Sequence, residues 1–168
     1  MAIPAPRTWV DRDSISTTNQ NTDRDAILYA QKPTAIIADR VAGQTITNNT
    51  TTLVSFDTEV FDNGAGFAPT SSTITFAEAG VYVITAGGTW AANATGARIG
   101  TIRHNGNDVN GGTWEEPALT GGAPTFMSHC ATVLAAAGDT AGYAVTQTSG
   151  GNLSISAVRF SITRASGT

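Results

Sequence analysis

Few residues in this chain belong to the types that carry covalent chemistry. Its histidines are His104 and His129, and its single cysteine is Cys130. His129 and Cys130 are neighbours in a run that alternates like a strand. Their side chains therefore project to opposite faces and form no local thiolate–imidazole pair. Cys130 is expected as a small buried core residue, and His104, beside Asn105-Gly106, as a partly exposed one. Asp57, Glu59 and Asp62 are the best oxygen-ligand candidates for a metal such as Ca²⁺. Their spacing does not match the alternating acidic loop of an EF-hand, and a solvated loop is the plainer reading. Glu115 and Glu116 lie next to Trp114, but adjacent carboxylates rarely straddle a glycosidic bond. No Gly-x-Ser-x-Gly elbow, phosphate loop or His-Glu-x-x-His zinc pattern is present. The chain is therefore read as non-enzymatic, with no catalytic, metal or cofactor residues expected.

The elements that hold these residues read as strands. Only 13% of the chain is charged and it has 18 glycines, a balance that with abundant Thr favours strands broken by turns. Alternation predicts strands over 35–41, 51–57, 72–77, 81–91, 97–104, 125–135, 140–148 and 152–164. Turn residues separate them, and Asn105-Gly106 is the preferred pair for a type I′ hairpin. Such spacing describes an all-β antiparallel sandwich or jelly roll. Tyr82, Ile84, Ala86 and Trp90 share one strand face while Val81 and Val83 share the other, so this strand is apolar on both sides at its start. Two-sided apolar strands in a small domain predict a subunit interface. In the last strand the alternation slips at Ser156-Ala157, which predicts a bulge or a change of packing partner.

Charge divides the chain near Pro33. Arg7, Arg12, Arg24 and Lys32 balance Asp11, Asp13, Asp23 and Asp25 in residues 1–33, so the remainder carries the whole net charge of −4. One lysine and an acidic body argue against nucleic-acid binding. No apolar run is long enough for a membrane-spanning helix. The first residues have neither the basic start nor the apolar core of a signal peptide, which predicts synthesis in the cytoplasm. Residues 1–33 read as an arm and 34–168 as the β body. Pro4 and Pro6 hold the arm extended, Ser16 resembles a helix N-cap, and a short helix is expected over 19–31, ended by Pro33. Trp9 has no core nearby and is expected on a partner. Trp114, in a glycine-rich loop, is as consistent with loop packing as with ligand contact.

Two stretches resemble known families. Thr73-Ile74-Thr75-Phe76, Ala79-Gly80-Val81-Tyr82-Val83-Ile84, Gly138-Asp139, Gly150-Gly151-Asn152-Leu153 and Val158-Arg159-Phe160-Ser161-Ile162 resemble the C1q-like and tumour-necrosis-factor-like jelly rolls, which are compact trimers. Pro4-Ala5-Pro6-Arg7-Thr8-Trp9-Val10 with Arg24-Asp25-Ala26-Ile27-Leu28 resembles the start of small virion proteins from tailed phages of actinobacteria. The resemblance implies a homotrimer on the virion surface that decorates and stabilises the capsid exterior. Its partners would be itself and the phage major capsid protein or another virion protein. Ile3, Pro4, Pro6, Arg7, Trp9, Ile27 and Leu28 would form the capsid anchor. The alternative is a minor tail or fibre-tip protein that binds host-surface glycans through Trp114, Glu115 and Glu116.

Overall fold

Along most of the long strands every second residue is buried, and this periodicity organises the body. The computed structural model describes residues 33–66 and 71–167, together with Gln20, Asn21, Asp23, Arg24 and Ile27, which have helical backbone. The expected helix over 19–31 therefore falls mostly outside the described residues, as does the rest of the arm. Within them lie β1 (Ala35–Arg40), β2 (Gln44–Ile46), β3 (Thr52–Leu53), β4 (Thr58–Asp62), β5 (Thr73–Thr75), β6 (Gly80–Trp90), β7 (Ala97–His104), β8 (Asn107–Pro117), β9 (Thr125–Ala135), β10 (Thr140–Gln147) and β11 (Leu153–Gly167).

These strands form two antiparallel sheets packed face to face. One runs β4-β1-β11-β6-β9, with β2 also on β11; the other runs β3-β10-β7-β8, with β5 also on β10. Between them sit the fully buried Trp90, Tyr82, Tyr143, Phe56, Phe76 and Phe160. Phe56 stacks on Phe160 with centroids 5.4 Å apart, and Phe76 packs on Tyr82 at 4.6 Å. The Trp90 indole N–H points at the Met127 sulfur, 3.1 Å away. Aromatic burial of this kind supplies the driving force that disulfides supply in smaller domains.

The slip expected in the last strand is a bulge. The β11–β6 register shifts between Ser156 and Arg159, and Ala157 takes a positive φ of 49°. One extra residue reverses the parity, so Leu153 and Ile155 before it and Val158, Phe160 and Ile162 after it all face the core. The Asn105-Gly106 hairpin also has the expected turn, with φ of 50° and 78°.

Three strands escape sequence reading. Residues 51–57, expected as one strand, contain only β3, while β2 and β4 lie in stretches taken as connections. The β1–β4 register shifts between Ile37 and Ala38, which breaks the alternation in β4. The stretch around Gly111–Gly122, expected as a loop, begins with most of β8. This strand lies at a sheet edge and is largely exposed on both sides, so it has no apolar alternation to read.

Two buried polar side chains are anchored by backbone. The Arg98 guanidinium, fully buried, donates to the carbonyls of Asn93, Thr95 and Ala97 at 3.0–3.1 Å. The buried Gln147 amide donates to Ile46 and Gly151 and accepts from the Ser149 amide. Because Ala157 is held in the left-handed region, Ala157→Gly should raise the thermal midpoint slightly, by about 0.5–1 kcal/mol of stability. Ala157→Val should lower it, since a branched side chain is strained there. Equal midpoints for both variants in thermal unfolding would contradict the bulge geometry.

Candidate interaction surface

The six-stranded sheet buries one face on the core and turns the other away from it. On β9 the core side carries Thr125, Met127, His129, Ala131, Val133 and Ala135, and the outer side Phe126, Ser128, Cys130, Thr132 and Leu134. Phe126 is 71% exposed and Leu134 66%. Register then places their neighbours. Val81 and Val83 on β6 lie opposite Leu134 and Thr132, and Thr85 lies opposite Cys130. Thr85 shares a 2.6 Å hydrogen bond with Ser161 on β11. Further across, Ile37 pairs with Phe61, which is itself 47% exposed.

This outer face is apolar at both margins and hydroxyl-rich between them. Its strand pairs bring one charged couple to it, Asp39 and Arg159, which neutralise each other through two 2.8 Å hydrogen bonds. That contact raises the Arg159 pKa above its ordinary value, chiefly through the Asp39 hydrogen bond. Beside them the bulge leaves a pit of about 290 Å³ lined by Asp39, Arg40, Val41, Ala157, Val158 and Arg159. A broad, nearly uncharged face with large exposed side chains is the usual signature of a protein-binding surface.

Cys130 corrects a sequence expectation. It is exposed, because even-numbered residues of β9 face outward, and the adjacent His129 takes the inward position instead. The two do point to opposite faces, as the alternation requires. His129 packs against Tyr143 with ring centroids 5.5 Å apart. Burial pushes its pKa below the ordinary value of 6.5, opposed by the backbone of Gly112, which faces the ring without completing a hydrogen bond. Burial likewise pushes the Tyr143 phenol well up.

The other chemical candidates serve structure. His104 is partly exposed, as expected, and its Nε2 lies 2.9 Å from an Asp139 oxygen. Asp139 also accepts from the Asn105 side chain and the Ala136 amide, and the Asn105 side-chain Oδ1 accepts from the Thr140 amide. This network ties the β7–β8 hairpin to the β9–β10 turn. Asp57, Glu59 and Asp62 do not converge. Asp57 accepts from the amides of Val41 and Ala42 and from Thr58, Asp62 accepts from the Gly64 amide, and Glu59 is exposed on β4. Among the described residues no three His, Cys, Asp or Glu side chains gather as a metal site.

Trp114 stands on β8 rather than in a loop. It is 50% exposed, and its indole N–H donates to Glu116 at 3.0 Å. Glu115, between them, projects to the opposite face, so the three expected ligand-loop residues do not form one cluster. Ile27 of the expected anchor is exposed; Ile3, Pro4, Pro6, Arg7, Trp9 and Leu28 lie outside the described residues. Sequence reading missed Phe126 and Leu134 as surface residues, although their parity against Met127 and Val133 carries that signal.

Comparison of the fold with solved structures gives consistent neighbours. The globular domain of zebrafish complement 1qA aligns with a TM-score of 0.61 at 14% identity, covering 82% of this chain and all of that one. Murine APRIL aligns at 0.60 and 12%, covering 79% and 99%. Eiger TNF from S. frugiperda aligns at 0.58 and 13%, covering 82% and 96%. The fold is the C1q/tumour-necrosis-factor jelly roll. No protein-family model and no curated protein sequence matches the chain. The C1q/TNF-like body thus rests on architecture: a six-stranded and a five-stranded antiparallel sheet, with the long strands β6 and β11 side by side.

The Asp139 network makes an acid-limb prediction. The Asn105 hydrogen bond first, then the Ala136 amide and His104, hold the Asp139 carboxyl below its ordinary 3.8. The Val41 amide does the same for Asp57. Stability from both is complete above about pH 3.8 and is lost as pH falls through the lowered values. In Asp139→Asn the urea midpoint should be lower at neutral pH and decline less steeply below pH 4. A decline as steep as the wild type's would show that Asp139 contributes nothing there.

Proposed function

We propose that this chain is a non-enzymatic structural protein whose body self-assembles, as a homotrimer, through the outer face of its six-stranded sheet. The observation that carries this reading is that face itself, with Phe126 and Leu134 exposed on the β9 margin, Phe61 on the β4 margin, and one internally neutralised ion pair between. Because the two margins differ, contact between them is heterologous, and such contacts generate a closed ring when the rotation allows. Three copies is the number that the likeness to compact trimeric jelly rolls implies.

The arm adds a second role. We infer from its resemblance to phage virion proteins that residues 1–33 dock the trimer onto a capsid lattice, with Ile3, Pro4, Pro6, Arg7, Trp9, Ile27 and Leu28 as anchor. Binding only the assembled lattice stabilises it by mass action, and three linked arms raise avidity far above that of one. The glycan-binding alternative keeps one point in its favour, the half-exposed Trp114 held by Glu116; glycan-array binding lost in Trp114→Ala would favour it.

Phe126→Asp puts a charge on the β9 margin of the proposed contact. It should weaken self-association by at least about 30-fold, corresponding to the ~2 kcal/mol of a hot-spot residue, with the thermal midpoint of the dissociated chain unchanged. Sedimentation equilibrium reads this directly, and wild-type association in the variant contradicts the proposed face. Removing residues 1–33 should leave the assembled body intact and abolish retention on purified virions in a pelleting assay. A truncated chain that still decorates would overturn the anchor role.

A further inference from the structure

The edge strand β9 carries the proposed association face on one side and His129 on the other. The ring enters the sandwich at a point cleared by glycine: a Cβ on Gly100 of β7 would come within 2.9 Å of the His129 Cε1 and 2.2 Å of the Tyr143 hydroxyl. Both ring nitrogens and that hydroxyl are shut off from solvent and lack a hydrogen-bond partner. Against the ring stand Tyr143 from β10, Gly100 from β7 and Gly112 from β8. Ala86 of β6 is its pairing partner, and Met127 and Ala131 flank it on β9 itself.

The titratable group in that shell is Tyr143, which burial keeps neutral. Charged or ionisable groups further along the same faces offer a proton no welcome. Arg98 of β7 is a buried cation. Glu116 of β8 accepts the Trp114 indole N–H, and His104 of β7 is engaged with Asp139. An imidazolium at position 129 would be a desolvated charge with no carboxylate beside it, faced only by the Gly112 backbone and the neutral Tyr143 hydroxyl. β8 and β9 are edge strands of the two sheets, without a second pairing partner, and they pack on each other along this margin, so the ring reaches water where these two edges part.

We propose that acid charges His129, drives the ring out between β8 and β9, and by displacing β9 releases neighbouring chains from the association face. The proposal rests on the self-association reading for its last step. The sign follows from the neutral ring in the fold: stability from His129 is complete above about pH 6.5, the ordinary histidine value, and falls as pH drops below it. That window lies above the one in which Asp57 and Asp139 act.

The test is sedimentation of the full chain from pH 8 to pH 5, beside His129→Phe and His129→Gln. The wild type should pass from assembled to single chains below about pH 6.5, its unfolding or release constant rising up to tenfold per pH unit for each chain. A variant without the ionisable ring should stay assembled to pH 5. A wild type that stays assembled at pH 5, or variants that dissociate alongside it, overturns the proposal. Should the wild type be a single chain at every pH, the association reading fails by itself. The strand-release step is then decided by the thermal midpoint, which should fall between pH 7.5 and pH 5 in the wild type and not in the variants. If neither variant folds, the His129 ring proton resonances of the wild type decide: they should stay at their neutral positions until the fold opens, and a free titration near 6.5 in the folded chain overturns the proposal.

Discussion

A strand has two faces, and the pairing of β6, β9 and β11 commits one face of each to the same core. That single constraint orders the body. Once Tyr82, Ile84, Phe160 and Val133 face inward, Val83, Phe126 and Leu134 have nowhere to go but outward. Fully burying a side chain of that size is worth roughly 1.5–3 kcal/mol. An outer face with several of them and almost no net charge therefore gains far more by meeting another protein surface than by staying hydrated.

The polar groups of the body act mainly at its ends, where strands stop and backbone groups lose their ladder partners. Asp139 and Asn105 bind two turns together, Asp57 gathers the amides after β1, and Gln147 bridges Ile46 and Gly151. Arg98 spends its charge on three carbonyls. Arg164, nearly buried, reaches Glu78 at 2.7 Å and the Ala79 carbonyl. These contacts fix where turns meet, while the aromatic layer between the sheets supplies the driving force. The low charge of the chain is then intelligible, since few ionic groups are required beyond the sheet ends.

Legibility in the sequence followed burial. The bounds of β7 and β9 match expectation, β9 because it alternates cleanly between core and exterior and β7 because the Asn105-Gly106 turn ends it, and the slip at Ser156-Ala157 announces its bulge. Strands β4 and β8 did not announce themselves: one is broken by a register shift, and the other is solvated on both sides and interrupted by Gly111-Gly112. Cys130 was misplaced because residue type was allowed to outweigh parity, and its neighbours Met127 and Val133 fix the inward set on odd numbers. The outer face is half visible in the sequence, in Val81 and Val83, while Phe126 and Leu134 received no face in that reading. Three-dimensional register was required to bring Phe61 and Ile37 to the same surface, since no local pattern links residues on β1 and β4 to residues on β9.

Cys130 provides the most direct measurement. It is the only cysteine of the chain, and it projects from the middle of the outer face of β9, opposite Thr85. Its rate of reaction with a small thiol reagent can be followed in the full chain across protein concentration at neutral pH. Self-association through this face predicts slow labelling in concentrated protein and acceleration on dilution, as the face comes apart. Labelling at the rate of an unhindered thiol, the same at every concentration, would contradict the account.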